Sequence, residues 1–363
     1  MTTDLSIAVD VMGGDGGLSA MLNGCAKALN EGLKSRLVLV GNEAELRRII
    51  AEEKIAFPDG RYDIIHADGV ITMDDKPSQA VRRGRNTSMW NAIKTVKEGQ
   101  TAAVVSCGNT GALMAMSVMQ LRMIEGVDRP AITALWPTMK DGKTVVLDVG
   151  ANVEATAEQL VQFAIMGEAY YRAMTGKAKP VVGLLNVGAE ELKGHELIRT
   201  AALTLRDADP EMEFAGFVEG DDIAKGTVDV VVTDGFTGNI ALKAAEGTAR
   251  MIAGWVREAV TSNLAAKLGA LLMYGGLSKM RSKANPSNVN GAPLLGLNGL
   301  VIKSHGGADA EGVASALKVA DSLVRQPFQD EIKSTIAKVK ARAEKLPPAS
   351  ETDDSGEPRE AVV

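Results

Sequence analysis

The chain has 363 residues, 45% of them hydrophobic and 24% charged, with a formal net charge of −6. That length fits one large or two ordinary domains, the balance is that of a globular chain, and the negative charge argues against nonspecific nucleic-acid binding. Cys25 and Cys107 offer neither a disulfide framework nor a zinc spacing, so a reducing cytoplasm is expected; no secretory leader is expected, and no run reaches the ~18 apolar residues of a spanning helix.

Short apolar runs alternate with helical patterns. Strands are expected at Ser6–Asp10, Arg36–Val40, Tyr62–His66, Ala102–Ser106, Thr144–Val149, Pro180–Asn186, Glu213–Val218, Val228–Thr233 and Leu300–Ser304. Most are continuous β-branched runs, which suits strands buried on both faces of a mostly parallel sheet. Thr156–Met174 reads as a helix, with Thr156 and Gln159 at capping-box spacing. The alternation predicts a three-layer α/β/α sandwich. One domain is expected over residues 1–346, with a helical hairpin insertion at about 255–283, interrupted by Gly275-Gly276. Residues 347–363 are Pro-, Ser- and acid-rich and are expected to be a disordered tail.

Two segments share one design: an apolar strand, a tight loop of glycine and small polar residues, then a helical pattern. The first is Ala102–Ser106 followed by Cys107-Gly108-Asn109-Thr110-Gly111. The second is Val228–Val232 followed by Thr233-Asp234-Gly235-Phe236-Thr237-Gly238-Asn239. Glycine lets the backbone turn sharply and approach a ligand closely. The helix that follows directs free N–H groups and its positive dipole end at the loop, which makes an anion site. Two such loops at strand ends point to phosphate or a developing oxyanion, and tight-turn geometry is the plainer alternative. No Gly-x-x-x-x-Gly-Lys-Ser/Thr loop is present, and Gly13–Gly17 lacks the Gly-x-Gly-x-x-Gly spacing of dinucleotide binders. Asp59 and Asp63, at helical spacing beside a Pro/Gly loop, make no carboxylate cluster at a strand end, and neither a metal nor another cofactor is expected.

The opening Ala8-Val9-Asp10-Val11-Met12-Gly13-Gly14-Asp15 resembles that of the bacterial acyl-carrier-protein:phosphate acyltransferases, the PlsX family of fatty acid/phospholipid synthesis proteins. The pattern continues in order through Met73-Asp74-Asp75-Lys76-Pro77, Ala80-Val81-Arg82-Arg83, Gly108–Ala115, Leu147–Asn152, Leu184–Gly188, Thr233–Asn239, Gly291–Gly296 and Lys303-Ser304-His305-Gly306. The resemblance implies an isocitrate-dehydrogenase-like fold, shared with phosphotransacetylases, in a homodimer. It implies transfer of a fatty acyl group from acyl carrier protein to inorganic phosphate, by direct attack of phosphate on the thioester. The acyl phosphate would then feed a membrane-bound glycerol-3-phosphate acyltransferase in phospholipid synthesis.

That reaction needs an oriented phosphate, a stabilised carbonyl oxygen and a protonated leaving thiolate. His305, at the end of an apolar strand, is a candidate to protonate the thiolate, and Lys303 to contact phosphate or pantetheine. Asn109 and Asn239 are the candidate amide donors. Gly108, Thr110, Gly111, Asp234, Thr237 and Gly238 complete the two loops, and Lys193 follows another strand end. Arg82 and Arg83 either bind phosphate in bidentate fashion, or lie on a solvated face or a docking surface for acidic carrier protein. Asp15 either orients a donor or caps the next helix. Cys107 has no paired base, and the family pattern often has alanine there, so it is not taken as a nucleophile. His66 is taken as structural, and His195 as a surface residue.

Within Trp255–Lys283, Val256, Val260, Leu264, Leu268 and Leu271 recur at helical spacing beside Lys267, Lys279, Arg281 and Lys283. This amphipathic segment packs on a second subunit, lies on a membrane surface, or does both. A phosphotransacetylase acting on acyl-coenzyme A and a noncatalytic lipid-synthesis scaffold are the rival readings. The acyl donor separates the first rival. The two anion loops argue against the second.

Overall fold

The computed structural model describes residues 5–140, 142–208, 212–278 and 290–343. The basic residues Lys279, Arg281 and Lys283 and the 347–363 tail lie outside the described residues. The chain opens with β1 (Ser6–Asp10), α1 (Gly17–Asn30), β2 (Arg36–Gly41), α2 (Glu43–Glu52), β3 (Tyr62–His66), α3 (Pro77–Arg83), α4 (Ser88–Lys97), β4 (Ala103–Ser106) and α5 (Thr110–Leu121). Next come β5 (Ala131–Pro137), β6 (Lys143–Leu147), α6 (Ala157–Thr175), β7 (Val181–Leu185), α7 (Glu196–Ala208), β8 (Glu213–Val218), α8 (Gly220–Lys225), β9 (Val230–Val232), α9 (Gly235–Thr261) and α10 (Leu264–Leu272). The last elements are β10 (Ala292–Leu295), β11 (Leu300–Lys303), α11 (Ala310–Leu323) and α12 (Phe328–Ala343).

The strands form one sheet in the order β3-β2-β1-β4-β11-β10-β5-β6-β9-β7-β8. Alternate residues bury on opposite faces. Ile7 and Val9 join a core with Met21, Leu22 and Cys25 of α1, whereas Ala8 and Val104 join one with Met89, Ile93 and Leu113 of α4 and α5. Burial on both faces is why these strands read as continuous apolar runs. The expected three-layer α/β/α architecture is present. The capping box of α6 closes in both directions, Thr156 accepting from the Gln159 N–H and Gln159 accepting from the Thr156 N–H.

Two strands, β5 and β10, are absent from the sequence expectation. Both carry proline and β10 has only four residues, features that weaken a strand signal. They matter because they reverse the sheet. β10 pairs antiparallel with β11 and with β5, and β5 pairs antiparallel with β6. The two outer groups, β3-β2-β1-β4-β11 and β6-β9-β7-β8, are each parallel within themselves and run in opposite directions.

Register shows where the two groups meet. Lys303, ending β11, lies opposite Ala292, which starts β10. Two residues along β10, Leu294 lies opposite Ile132 of β5. The next β5 residue, Thr133, lies opposite Leu147, which ends β6. The carboxyl ends of the two groups therefore face each other at one level of the sheet, within about one ~3.4 Å residue step.

The helical insertion begins earlier than the sequence pattern indicates. The 27-residue helix α9 starts at Gly235, directly after β9, so Trp255 lies in its last third. Among its residues only Gly235 and Gly238 are buried. The break falls at Ser262-Asn263, where Asn263 accepts from the Ala266 N–H and caps α10. Gly275 and Gly276 lie in a further helical turn and do not mark the interruption. Among the described residues, no helix is long and apolar enough to cross a membrane.

Candidate active site

At the ends of β1, β4 and β11, side chains converge on a buried carboxylate. Asp10 is 1% exposed. Its Oδ1 accepts from the Ser88 hydroxyl at 2.6 Å and its Oδ2 from the Ser106 hydroxyl at 2.7 Å. The Ser106 oxygen in turn accepts from the Gly108 N–H at 3.1 Å. Burial raises the Asp10 pKa, and the two hydroxyls, the Gly13 N–H and the charge of Lys303 oppose that rise.

Lys303 is the cation facing this carboxylate. It is 9% exposed, and its ammonium donates to the carbonyls of Cys107 and Ser304. Burial holds its pKa below the usual lysine value, Cys107, Asp10 and Asp15 push it back up, and Lys243 adds to the lowering. Lys243 belongs to α9, on the other side of the reversed sheet, so the field at Lys303 is felt from both groups of strands.

His305 follows on the same loop. Asn290 Oδ1 accepts from the His305 N–H at 3.1 Å, and Asn290 Nδ2 donates to Ser304 Oγ at 2.8 Å. The Gly307 N–H donates to His305 Nδ1 at 3.1 Å. That bond places the proton of the neutral ring on Nε2, on an exposed side chain free to donate outward. Asp15 sits beside this loop, its N–H donating to the Gly306 carbonyl at 2.7 Å. It is exposed and does not cap α1, whose cap position is Gly16 with no side-chain bond. Cys107 is buried, burial pushes its thiol pKa up, and Ser304 hydrogen-bonds it. A nucleophilic thiolate is thus disfavoured, in line with the sequence reading.

At the ends of β6 and β9 a second aspartate plays the organising role. Asp148 Oδ1 accepts from the N–H groups of Ile132, Gly150 and Ala151, and Oδ2 from Asn152 N–H and Nδ2. Burial raises its pKa while these donors act against the rise. The first turn of α9 rests on it. A Cβ on Gly238 would lie 2.0 Å from the Asp148 carbonyl oxygen, and one on Gly235 would lie 2.7 Å from Asp148 Oδ2. These glycines are needed for protein packing. The Asp234 carboxylate caps α9 by accepting from the Thr237 N–H and hydroxyl, each at 2.8 Å. Asn239 is exposed one turn into α9, where its side chain faces Gly150.

The first glycine loop is likewise a packing device. Asn109 Oδ1 caps α5 by accepting from the Ala112 N–H. Its Nδ2 donates to the carbonyls of Thr72, Met73 and Asp75. Both ends of the Asn109 amide are therefore occupied by backbone, and its role is to hold the 72–75 loop beside the site. A Cβ on Gly108 would meet Met89, and one on Gly111 would meet Pro77. Thr110 opens α5, and the first-turn N–H groups there carry the positive end of the helix dipole.

The remaining candidates lie further out. Arg82 and Arg83 end α3 as exposed side chains. Lys193 is exposed in the β7–α7 loop and pairs with Glu190 at 2.8 Å. His66 is structural, its Nδ1 accepting from the Glu43 N–H and its Nε2 meeting Asp68 at 2.9 Å. His195 lines an open cavity of about 1030 Å³ with Arg129, Asn152, Asp234, Phe236 and Thr237. Sequence reasoning assigned no role to Asp10, Ser88, Ser106, Asp148, Asn290 or Lys243. The signal for the two aspartates was present, since each closes an apolar strand just before a glycine-bearing loop. Among the described residues no cluster of three or more His, Cys, Asp or Glu could hold a metal.

A family model described as "Fatty acid synthesis protein" matches residues 5–331. The chain belongs to this family. It is 53% identical to a phosphate acyltransferase of Caulobacter vibrioides over 94% of both chains. It is 54% identical to one of Maricaulis maris, covering 93% of this chain and 96% of that one. Family membership makes the chain a transferase enzyme. Its fold is that of a phosphotransacetylase from Streptococcus pyogenes, with a TM-score of 0.61 at 17% identity over 90% of this chain and 95% of that one. The EutD phosphotransacetylase from Staphylococcus aureus superposes with a TM-score of 0.58 at 14% identity over 88% of this chain and 94% of that one.

Proposed function

We propose that this enzyme transfers a fatty acyl group from acyl carrier protein to inorganic phosphate. The acyl phosphate then serves phospholipid synthesis through a membrane-bound glycerol-3-phosphate acyltransferase. The observation that carries this reading is a buried lysine, Lys303, at the level where two opposed sets of strand ends meet. It is supported by relatives named phosphate acyltransferase at about half identity.

Phosphate sits between the Lys303 ammonium and the N-terminal turns of α5 and α9. One phosphate oxygen attacks the thioester carbonyl carbon. The oxyanion formed is stabilised by Lys303 and the Asn239 amide. The carbon–sulfur bond then breaks, and the sulfur takes up the proton that the attacking hydrogen phosphate gives up, while the His305 Nε2–H donates a hydrogen bond to the departing thiolate. No covalent enzyme intermediate is required, so rate comes from positioning and charge. Asp10 and Asn290 act one step back, holding Lys303 and His305.

The enzyme works as a homodimer at the membrane surface. Support comes from α9 and α10, where Ile240, Met251, Ile252, Trp255, Leu268 and Leu272 are exposed in the single chain. Burying that apolar face against a second copy, with the α10 end resting on lipid, removes it from water. Arg82 and Arg83 contribute a basic docking face for the acidic carrier protein.

The test is phosphate-dependent consumption of palmitoyl-carrier protein, with palmitoyl-coenzyme A in parallel and product trapped by hydroxylamine. The expected result is hydroxamate from the carrier-protein donor only when phosphate is present. Preference for coenzyme A would move the donor assignment, and no consumption of either would overturn acyl transfer.

A further inference from the structure

The open cavity beside α9 differs in character from the buried charged group formed by Asp10 and Lys303. Its wall is mixed, with apolar Val232 and Phe236 near the start of α9 and His195 just before Ile198, and two patches of it stand out. Asn152 and Asp234, at the ends of β6 and β9, are polar, as is Thr237 in the first turn of α9. Leu184 and Leu185 of β7, with Ile198 in the first turns of α7, are apolar. β7 lies two strands out from β6, about 10 Å at ordinary strand spacing. The loop joining β7 to α7 keeps Val187 and Leu192 exposed, adding apolar surface at that outer end. At about 1030 Å³ the cavity reaches the upper end of the ~300–1,000 Å³ that small-molecule sites span.

A ligand lying along this cavity needs a polar head beside the start of α9 and an apolar body running outward under α7. A pantetheine arm carries amides along its length, and at the end formed by Leu184, Leu185, Leu197 and Ile198 only His195 is at hand to partner them. A fatty acyl chain carries its only polar group at one end. We infer that this cavity takes the fatty acyl chain of the donor, carbonyl end at the start of α9 and methyl end against Leu185 and Ile198. These two side chains then set the chain length that the enzyme accepts. The inference rests on the acyl-transfer reading above and deepens it.

The experiment is a series of butyryl, octanoyl and palmitoyl thioesters with phosphate, run on the full chain and on Leu185→Trp and Ile198→Trp. Both side chains are only partly buried and lie on different elements, so a folding defect in one variant leaves the other informative. Filling the outer end should lower the palmitoyl-to-butyryl ratio of kcat/KM by about tenfold or more, and Ile198→Ala should move it the other way. A ratio changed by less than about twofold in both tryptophan variants overturns the inference. Saturable binding of the fluorescent fatty acid cis-parinarate, measured without phosphate, gives a readout independent of turnover. It should weaken in both tryptophan variants, and undiminished binding contradicts the assignment. If the unaltered enzyme binds cis-parinarate but converts no thioester with phosphate, the cavity assignment stands and acyl transfer fails.

Discussion

The two opposed halves of the sheet solve the same local problem with different chemistry. In each, an aspartate closing an apolar strand gathers the loops that follow, and a glycine presses against it. A Cβ would lie 2.6 Å from Asp10 Oδ2 at Gly13, and 2.7 Å from Asp148 Oδ2 at Gly235. Asp10 is satisfied largely by two serine hydroxyls and faces the buried ammonium of Lys303. Asp148 is satisfied by four backbone N–H groups and one side-chain amide. The first half thus holds a buried charge at the strand ends. The second presents a rigid cradle that aims the start of α9. Removing the held charge of Lys303 in the first half should act on rate, and breaking the Asp148 cradle in the second should act on stability.

The largest effect on rate is expected at Lys303. Replacing it in Lys303→Met removes the preorganised cation and should lower kcat/KM for phosphate-dependent acyl transfer by about 10²–10³-fold. Circular dichroism on the same preparation tests that the fold is kept. A loss of that size at Asp148, with an unchanged melting curve, would break the contrast between the halves.

The largest effect on stability is expected at Asp148. In Asp148→Asn, either orientation of the new amide turns its NH₂ toward donors that cannot accept. At least two buried N–H groups then lose their acceptor, at about 3 kcal/mol or more. In Asp10→Asn the serine hydroxyls can rotate to accept, so the loss should be about 1 kcal/mol. Denaturant unfolding of the two variants side by side checks the order.

Glycine substitutions sharpen the same contrast. Gly238→Ala drives a methyl group into the Asp148 carbonyl, which is backbone, and should destabilise by about 2–3 kcal/mol. Gly108→Ala meets the flexible end of Met89 at 2.6 Å and should cost about 1 kcal/mol. Thermal melting of both variants reads the difference.

The smallest effect is on pH dependence. Burial depresses the Lys303 pKa below its unfolded value of 10.5. Between the folded and unfolded values the unfolded chain binds the extra proton. Stability from this group is therefore greatest above 10.5 and is lost as pH falls through the depressed value. Activity needs the ammonium, so it should fall on the alkaline side below pH 10.5. Lys303→Arg should move that limb to higher pH, because guanidinium keeps its charge. A limb that does not move would detach it from Lys303.

Much of this was legible in the sequence because burial on both faces leaves a plain mark. Nearly every outer strand is a run of valine, isoleucine and leucine, and the α6 capping box is set by two residues in register. The reversal at the centre left no such mark. β10 is Ala-Pro-Leu-Leu and β5 ends in Trp-Pro, so neither carries a strong strand pattern. A helix was expected after the second glycine loop, but its continuity into the segment at Trp255 was hidden because Gly247 and Gly254 dilute the helical reading between them. Both glycine segments lie at strand ends, but Thr110-Gly111 and Gly235–Asn239, expected as loop, are the first turns of α5 and α9. Pattern alone could not show that their glycines make room for Asp148, Met89 and Pro77.

The central claim is that the two halves make one phosphate site around Lys303. The most direct measurement is titration of inorganic phosphate into the unaltered enzyme and into Lys303→Met, followed by phosphorus NMR. The account predicts saturable binding that weakens by at least about tenfold in the variant. Equal phosphate binding by both proteins would contradict it.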